Sequence, residues 1–175
     1  MAQQQQVERF EQLVLPHLDD AYTLACYLLR DEHDAQDAVQ DAVLKALRHF
    51  AGFRDGDARA WLLTIVRNSC YSWHKSHRMD RSTVPFTDSA AQDIVDPKKA
   101  DDLTLESSER ERIQSAVDAL PPELREVIVL RELNELSYRE ISEVVGVPIG
   151  TVMSRLSRAR ERLANALDAG SRKAS

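Results

Sequence analysis

Apolar residues recur at helical spacing along almost the whole chain, and no stretch alternates apolar and polar residues over the length of a strand. That single property restricts the fold to helices packed on helices. Val7, Phe10 and Val14 open a first stripe, which Pro16 should kink or end. Leu18, Ala21, Ala25 and Leu28 continue on a second helix to about Arg30. A third is expected from Asp34, with Ala35, Ala38, Val39, Ala42, Val43, Ala46 and Leu47 inward. Ala51 to Asp57 holds two glycines and reads as a loop. Trp61, Leu62, Ile65, Val66, Ser69, Cys70 and Trp73 then line a fourth helix, expected to fade after His77.

The period is lost from about Arg81 to Thr104, a stretch with Pro85, Pro97 and many acids. A structureless loop of that length is unusual inside a compact domain and reads as a flexible interdomain linker. Helical spacing resumes at Ser108, where Ser108 and Glu111 have capping-box spacing, and runs through Ile113, Ala116, Val117 and Leu120 to the break at Pro121-Pro122. Leu124, Val127, Ile128 and Leu130 follow. The expected architecture is all-α. A helical domain over 7–80 and a second over 107–168 are joined by an acidic linker over 81–106.

Composition narrows the class. Of 175 residues, 43% are apolar and 30% charged, which excludes collagen-like and wholly disordered chains. No apolar run nears the ~20 residues of a membrane span. The opening Met1-Ala2-Gln3-Gln4-Gln5-Gln6 lacks the basic and apolar segments of a signal peptide. Two cysteines cannot form a disulfide framework, so a cytoplasmic protein is expected. Cys26 and Cys70 lie on apolar stripes and read as small buried hydrophobes. His74 and His77 are three apart with no further ligand nearby, so neither metal nor cofactor is expected. No nucleophile–base pair or phosphate loop points to an enzyme.

The formal charge of −6 speaks against general nucleic-acid binding, but its distribution does not. Arg67, Lys75, Arg78 and Arg81 face one acid, Asp80, while Arg155, Arg158, Arg160, Arg162, Arg172 and Lys173 face only Glu161 and Asp168. Two basic patches flank an acidic tether, a pattern suited to two polyanion-facing surfaces.

The sharpest local pattern is a helix-turn-helix over 137–163. Ser137 and Glu140 form a capping box, Ile141, Val144 and Val145 give the short helix its apolar side, and Gly146 permits a tight turn. Pro148 starts the next helix. Small Ser142 lets the two helices approach, and Val152 plugs their junction. Val152, Leu156, Ala159 and Leu163 form the buried stripe, leaving Thr151, Ser154, Arg155, Arg158 and Arg162 to face DNA. Arginine suits bidentate contact with guanine or phosphate.

In the first module, Asp37, Asp41, Leu44 and Arg48 recur away from the alanine stripe, an acidic face suited to a basic partner helix. Arg67, Tyr71, His74 and Arg78 repeat at four, three and four, with Lys75 adjacent. Cations interleaved with an aromatic suit single-stranded DNA.

Three segments carry a family resemblance. They are Asp34-Ala-Gln-Asp-Ala-Val-Gln40, Ala60-Trp-Leu-Leu-Thr-Ile-Val-Arg-Asn68, and Ser137-Tyr-Arg-Glu-Ile141 with Gly150-Thr-Val-Met-Ser-Arg-Leu-Ser-Arg-Ala-Arg160. In this order they resemble the extracytoplasmic-function (ECF) group of bacterial RNA polymerase sigma factors, over nearly all of residues 7–168. The resemblance implies two helical domains, regions 2 and 4, that bind core RNA polymerase and direct it to promoters. It implies core docking through Asp34, Asp37, Gln40, Asp41 and Leu44. It implies −10 promoter contacts, to duplex and melted strand, through Phe53, Arg54, Arg67, Asn68, Tyr71, His74, Lys75 and Arg78, with the loop 53–59 resembling one that captures a flipped base. Upstream −35 recognition would fall to the helix-turn-helix, and an anti-sigma partner wrapped around both domains is implied. The chain departs from the family at Tyr71-Ser72-Trp73-His74-Lys75, where many relatives carry an Asp and then a basic pair. A freestanding helix-turn-helix regulator would leave residues 34–78 without a role. A decoy that binds only an anti-sigma factor would need neither basic face.

Overall fold

The computed structural model describes residues 1–82 and 105–173 and, among them, only helices, turns and connecting loops. Helix α1 (Ala2–Val14) passes through a 3-10 turn at Leu15–His17 into α2 (Leu18–Leu29). Pro16 thus redirects the chain as expected, although α1 starts well before Val7. Helix α3 (Glu32–His49) begins earlier than Asp34 because Asp31 is its cap, with the Asp31 carboxylate accepting the Asp34 N–H at 2.9 Å. A 3-10 turn at Phe50–Gly52 leads into the loop before α4 (Ala58–Ser82), which extends past His77.

The second module holds α5 (Leu105–Asp118), α6 (Pro122–Glu132), α7 (Tyr138–Val145) and α8 (Ile149–Lys173). Ser108 lies inside α5, which starts at Leu105, so the predicted box at Ser108 and Glu111 is not a helix start. Both ends of the segment assigned to the linker, 81–106, belong to helices. Its remainder, 83–104, lies outside the described residues, and so do the expectations attached to its acids and prolines.

In the first module α3 is held against α2 and α4 by Ala35, Ala38, Ala42 and Ala46, all buried. Side chains this small let helices approach closely, and larger groups fill the remaining space: Leu24, Leu62, Leu63 and Val66. Phe50 packs edge-on to Phe10 and beside Phe53 and Trp61, closing the end of the bundle under α1. In the second module α6 is buried along Leu124–Leu130; α7 and α8 pack on it, and α5 packs on α8.

The two modules are docked on each other. Helix α6 packs on α2 and α7 on α4, and the buried apolar side chains of both modules form one continuous cluster. The helical repeats are local and predict each module; this seam joins residues some 60 to 110 positions apart and leaves no periodic trace.

Candidate functional site

The helix-turn-helix forms as its sequence dictates. The Ser137 hydroxyl accepts the Glu140 N–H at 3.2 Å, and the Glu140 carboxylate accepts the Ser137 N–H at 2.6 Å. That backbone donor holds the Glu140 carboxyl below its ordinary pKa. Gly146 ends α7 at φ +76°, the left-handed region where a side chain is strained. Ser142 donates its hydroxyl to the Val147 carbonyl, tying α7 to the turn. Val152, Leu156 and Ala159 are buried and Leu163 half-buried, so the outer side of α8 is fixed.

On that outer side Ser154, Arg158 and Arg162 are exposed and Thr151 half-buried. Ser154 turns its hydroxyl back to the Thr151 carbonyl at 3.0 Å. Arg160 pairs with Glu132 at 3.0 Å, which removes it from the free cations of this surface. Arg155 differs from its neighbours. Only 21% of its side chain is exposed, and its guanidinium lies 3.8 Å from Glu126.

Glu126 organises the seam. Its side chain is 1% exposed, and its two oxygens accept Arg67 Nε at 2.7 Å and Arg67 Nη2 at 3.1 Å. The Tyr71 hydroxyl donates to it at 2.9 Å. The Arg67 guanidinium also lies over the Tyr71 ring, 4.7 Å from its centroid. Burial beside the carboxylate raises the Tyr71 pKa strongly, so the phenol stays a proton donor. For Arg67 the carboxylate outweighs the cost of burial and the pKa rises. Arg67, Tyr71 and Arg155, expected at two separate DNA surfaces, thus converge on one buried carboxylate.

A second contact fixes the other end of the seam. Arg59 donates to Asp20 at 2.7 Å and to the Asn134 carbonyl, while the Asn134 amide donates to the Asp20 side chain and carbonyl at 3.2 Å. Neither Glu126, Asn134 nor Arg59 stands out by motif. The legible signal is that Arg125 and Glu126 interrupt an apolar run, Leu124–Leu130, that is buried throughout. Charges inside such a run must find partners on another element.

The other expected −10 residues separate into groups. Asn68 and Lys75 are exposed, about a quarter turn round α4 from Arg67 and Tyr71. His74 and Arg78 are exposed near the end of the seam, with His74 Nε2 donating to the Leu28 carbonyl at 2.9 Å. Phe53 is half-buried, 4.9 Å from Trp61, and Arg54 is exposed. Cys70 is buried and its thiol is pushed up to about 12, whereas Cys26 is half-buried.

On α3, Asp37, Gln40, Asp41 and Leu44 are exposed together and Asp34 is half-buried near the helix start. Leu44 is 54% exposed and Leu47 lies beside it, giving the acidic face an apolar centre. Lys45 already pairs with Asp41 at 2.6 Å, which leaves Asp37 as the freer acid. No group of His, Cys, Asp and Glu among the described residues could hold a metal ion, and none of the described helices is long and apolar enough to cross a membrane.

Sigma-70 region 2 matches residues 13–79 and Sigma-70 region 4 matches residues 110–163. The RNA polymerase sigma-H factor of Pseudomonas aeruginosa is 33% identical over 172 residues, covering 90% of this chain and 86% of the relative. The ECF RNA polymerase sigma-E factor of Escherichia coli is 35% identical over 142 residues, covering 75% and 73%. The chain belongs to the ECF RNA polymerase sigma factors. Another relative, the ECF sigma factor SigE of Mycolicibacterium smegmatis, is 32% identical over 157 residues; the match spans 88% of this sigma factor and 60% of SigE. Among solved structures, the sigma factor RpoE bound to the anti-sigma factor NepR, from Bartonella quintana, superposes with a TM-score of 0.73 at 32% identity, over 92% of this chain and 98% of that one. CnrH, solved with the cytosolic domain of CnrY, gives a TM-score of 0.67 at 28% identity, over 91% and 88%.

Proposed function

We propose that this sigma factor works as a non-catalytic specificity subunit. It docks on core polymerase through the α3 face and reads promoters with α4 and α8, and its two DNA faces close on each other when it is free. The observation that carries this reading is the convergence of Arg67, Tyr71 and Arg155 on Glu126. A carboxylate offers the same acceptor oxygens as a DNA phosphate, so Glu126 satisfies cations that would otherwise face the duplex and the melted strand. Promoter engagement by Arg67 and Tyr71 therefore requires α6 to leave α4. Core polymerase would supply that free energy if it binds the separated modules better than the docked pair.

On α8, Arg158 and Arg162 are already solvent-facing and make the first upstream contacts, with Thr151, Ser154 and Arg155 completing the surface. On α4, Asn68 and Lys75 are accessible in the docked state, and Phe53, Arg54, His74 and Arg78 extend the downstream surface. Regulation by an anti-sigma protein fits a chain whose modules already sit together, since a partner that favours the docked arrangement need only add to an existing seam. The experiment is run-off transcription with purified core polymerase on genomic fragments. Discrete transcripts that depend on this chain support the reading, and core binding without promoter-dependent transcripts contradicts it.

A further inference from the structure

The seam holds a half-open, mostly apolar cavity of about 330 Å³, with Arg30, His74, Arg78 and Arg125 along its wall and no acid among its lining residues. Leu28, Cys70, Pro122 and the Tyr71 ring supply the rest of its wall. Both modules contribute, so the cavity exists only while they are docked. Arg125 is 6% exposed, yet no carboxylate forms an ion pair with it among the described residues. Its Nη2 donates to the carbonyls of Asp118 and Leu120 at 2.9 and 2.8 Å, and its Nη1 reaches the Tyr27 carbonyl at 3.5 Å. Its Nε–H is sealed from solvent and has no acceptor among the described residues, so a ligand in the cavity would meet Arg125 through Nη1, whose one contact is the long one to Tyr27. Burial and the neighbouring Arg30 charge lower the Arg125 pKa and outweigh the opposite pull of the Asp118 carboxylate, the reverse of the Arg67 case, where a buried partner carboxylate raises it.

A buried guanidinium lacking an ion-pair partner is costly, and an anionic ligand beside it would offset that cost. We propose that this cavity is a binding site for a small organic phosphate, whose phosphoryl group is held by Arg30, Arg78 and Arg125 and whose body lies against Leu28, Cys70, Tyr71 and Pro122. Three arginines lining one cavity favour a dianionic phosphate over a single carboxylate, and the guanidinium fork matches phosphate geometry. The volume sits at the lower end of small-molecule sites, room for a compact body beside the phosphoryl group. Because residues of both modules line the cavity, the ligand would hold the sigma factor in the docked form. That consequence rests on the proposed function; the binding itself does not.

The test is calorimetric titration of the full chain with adenosine monophosphate, inorganic phosphate and adenosine, alongside the Arg30→Gln and Arg125→Lys variants. Circular dichroism of each variant verifies its fold. Arg30 has no other assigned role, and Arg125→Lys keeps the buried charge while losing the guanidinium fork. The expected result is binding of the monophosphate, weaker binding of phosphate, and at least tenfold less for adenosine. Each substitution should lower monophosphate affinity about tenfold, one charge-assisted contact. Absence of binding by both phosphate-bearing probes, equal binding of adenosine, or undiminished affinity in Arg30→Gln would overturn the proposal. Saturation of the site by an acidic helical peptide, with no response to the phosphates, would assign the cavity to a protein partner and overturn it too. Binding that persists in a protein inactive in transcription would sink the proposed function and leave the site standing.

Discussion

Glu126→Gln should unlatch the modules. The substitution keeps the side chain's shape and removes its charge, so any effect reports the carboxylate. Glu126 receives two hydrogen bonds from Arg67 at 2.7 and 3.1 Å and one from Tyr71 at 2.9 Å, and it lies 3.8 Å from Arg155. Hydrogen bonds to a charged group contribute about 1.5–3 kcal/mol each and neutral ones about 0.5–1.5. Removing one partner of a buried pair costs about 3–5 kcal/mol, and the amide recovers part of that. With Arg67 about one-fifth exposed, a net loss of about 2–3 kcal/mol follows. That shifts the docked-to-separated ratio roughly 30- to 150-fold. Small-angle scattering should show a larger radius of gyration for the variant at unchanged helicity, and titration with an upstream-element duplex should show tighter binding because Arg155 is released. The same radius and the same affinity as the parent would refute the latch. A lower helix content would instead show that Glu126 supports the fold of the second module.

Arg158→Ala, on the exposed side of α8, should weaken upstream-element binding by about 1–3 kcal/mol with relaxed preference at one position if it reads a base; a phosphate contact would instead lower the salt slope by about one, and fluorescence anisotropy over a salt series separates the two. Charge reversal of Asp37 should reduce core polymerase affinity more than reversal of Asp41, which Lys45 already occupies, as measured by competition for core against labelled parent. Gly146→Ala, forced to φ +76°, should destabilise the second module by about 1 kcal/mol in urea melts, with Arg158 and its neighbours still able to bind DNA in the folded fraction. The Cys70 thiol titrates near 12 when folded and near 9 when unfolded, so the unfolded chain releases its proton first; stability should fall as pH rises from 9 towards 12, by at most about 1.4 kcal/mol per unit, and Cys70→Ala should flatten that slope.

The repeats, the caps and the turn were legible because each is a local property of the chain. Ser137 with Glu140, and Gly146 after Val145, dictate their geometry from within ten residues, and the alanine spacing on α3 can only mean close helix packing. The starts of α3 and α5 were misplaced for the same local reason. Asp31 offers a cap one turn before Asp34, and Ser108 has a capping spacing although α5 starts at Leu105. The seam was not legible. Arg67, Tyr71 and Arg155 have the same identity and spacing whether they face DNA or a carboxylate, and the acid that meets them lies 59 residues from Arg67 and 55 from Tyr71. Nothing periodic links positions so far apart. The only trace was a charged pair, Arg125-Glu126, inside a buried run.

The most direct test is the distance between the modules before and after core polymerase binds. Spin labels at Gln12 and Glu161, both exposed and one in each module, in a background with Cys26 and Cys70 replaced, give that distance by pulsed electron resonance. A single short distance is expected for the free protein, shifting to a longer one in the transcriptionally active complex with core and promoter. An active complex that retains the short distance would contradict the account, because Arg67 and Tyr71 would still be facing Glu126 while the promoter is open.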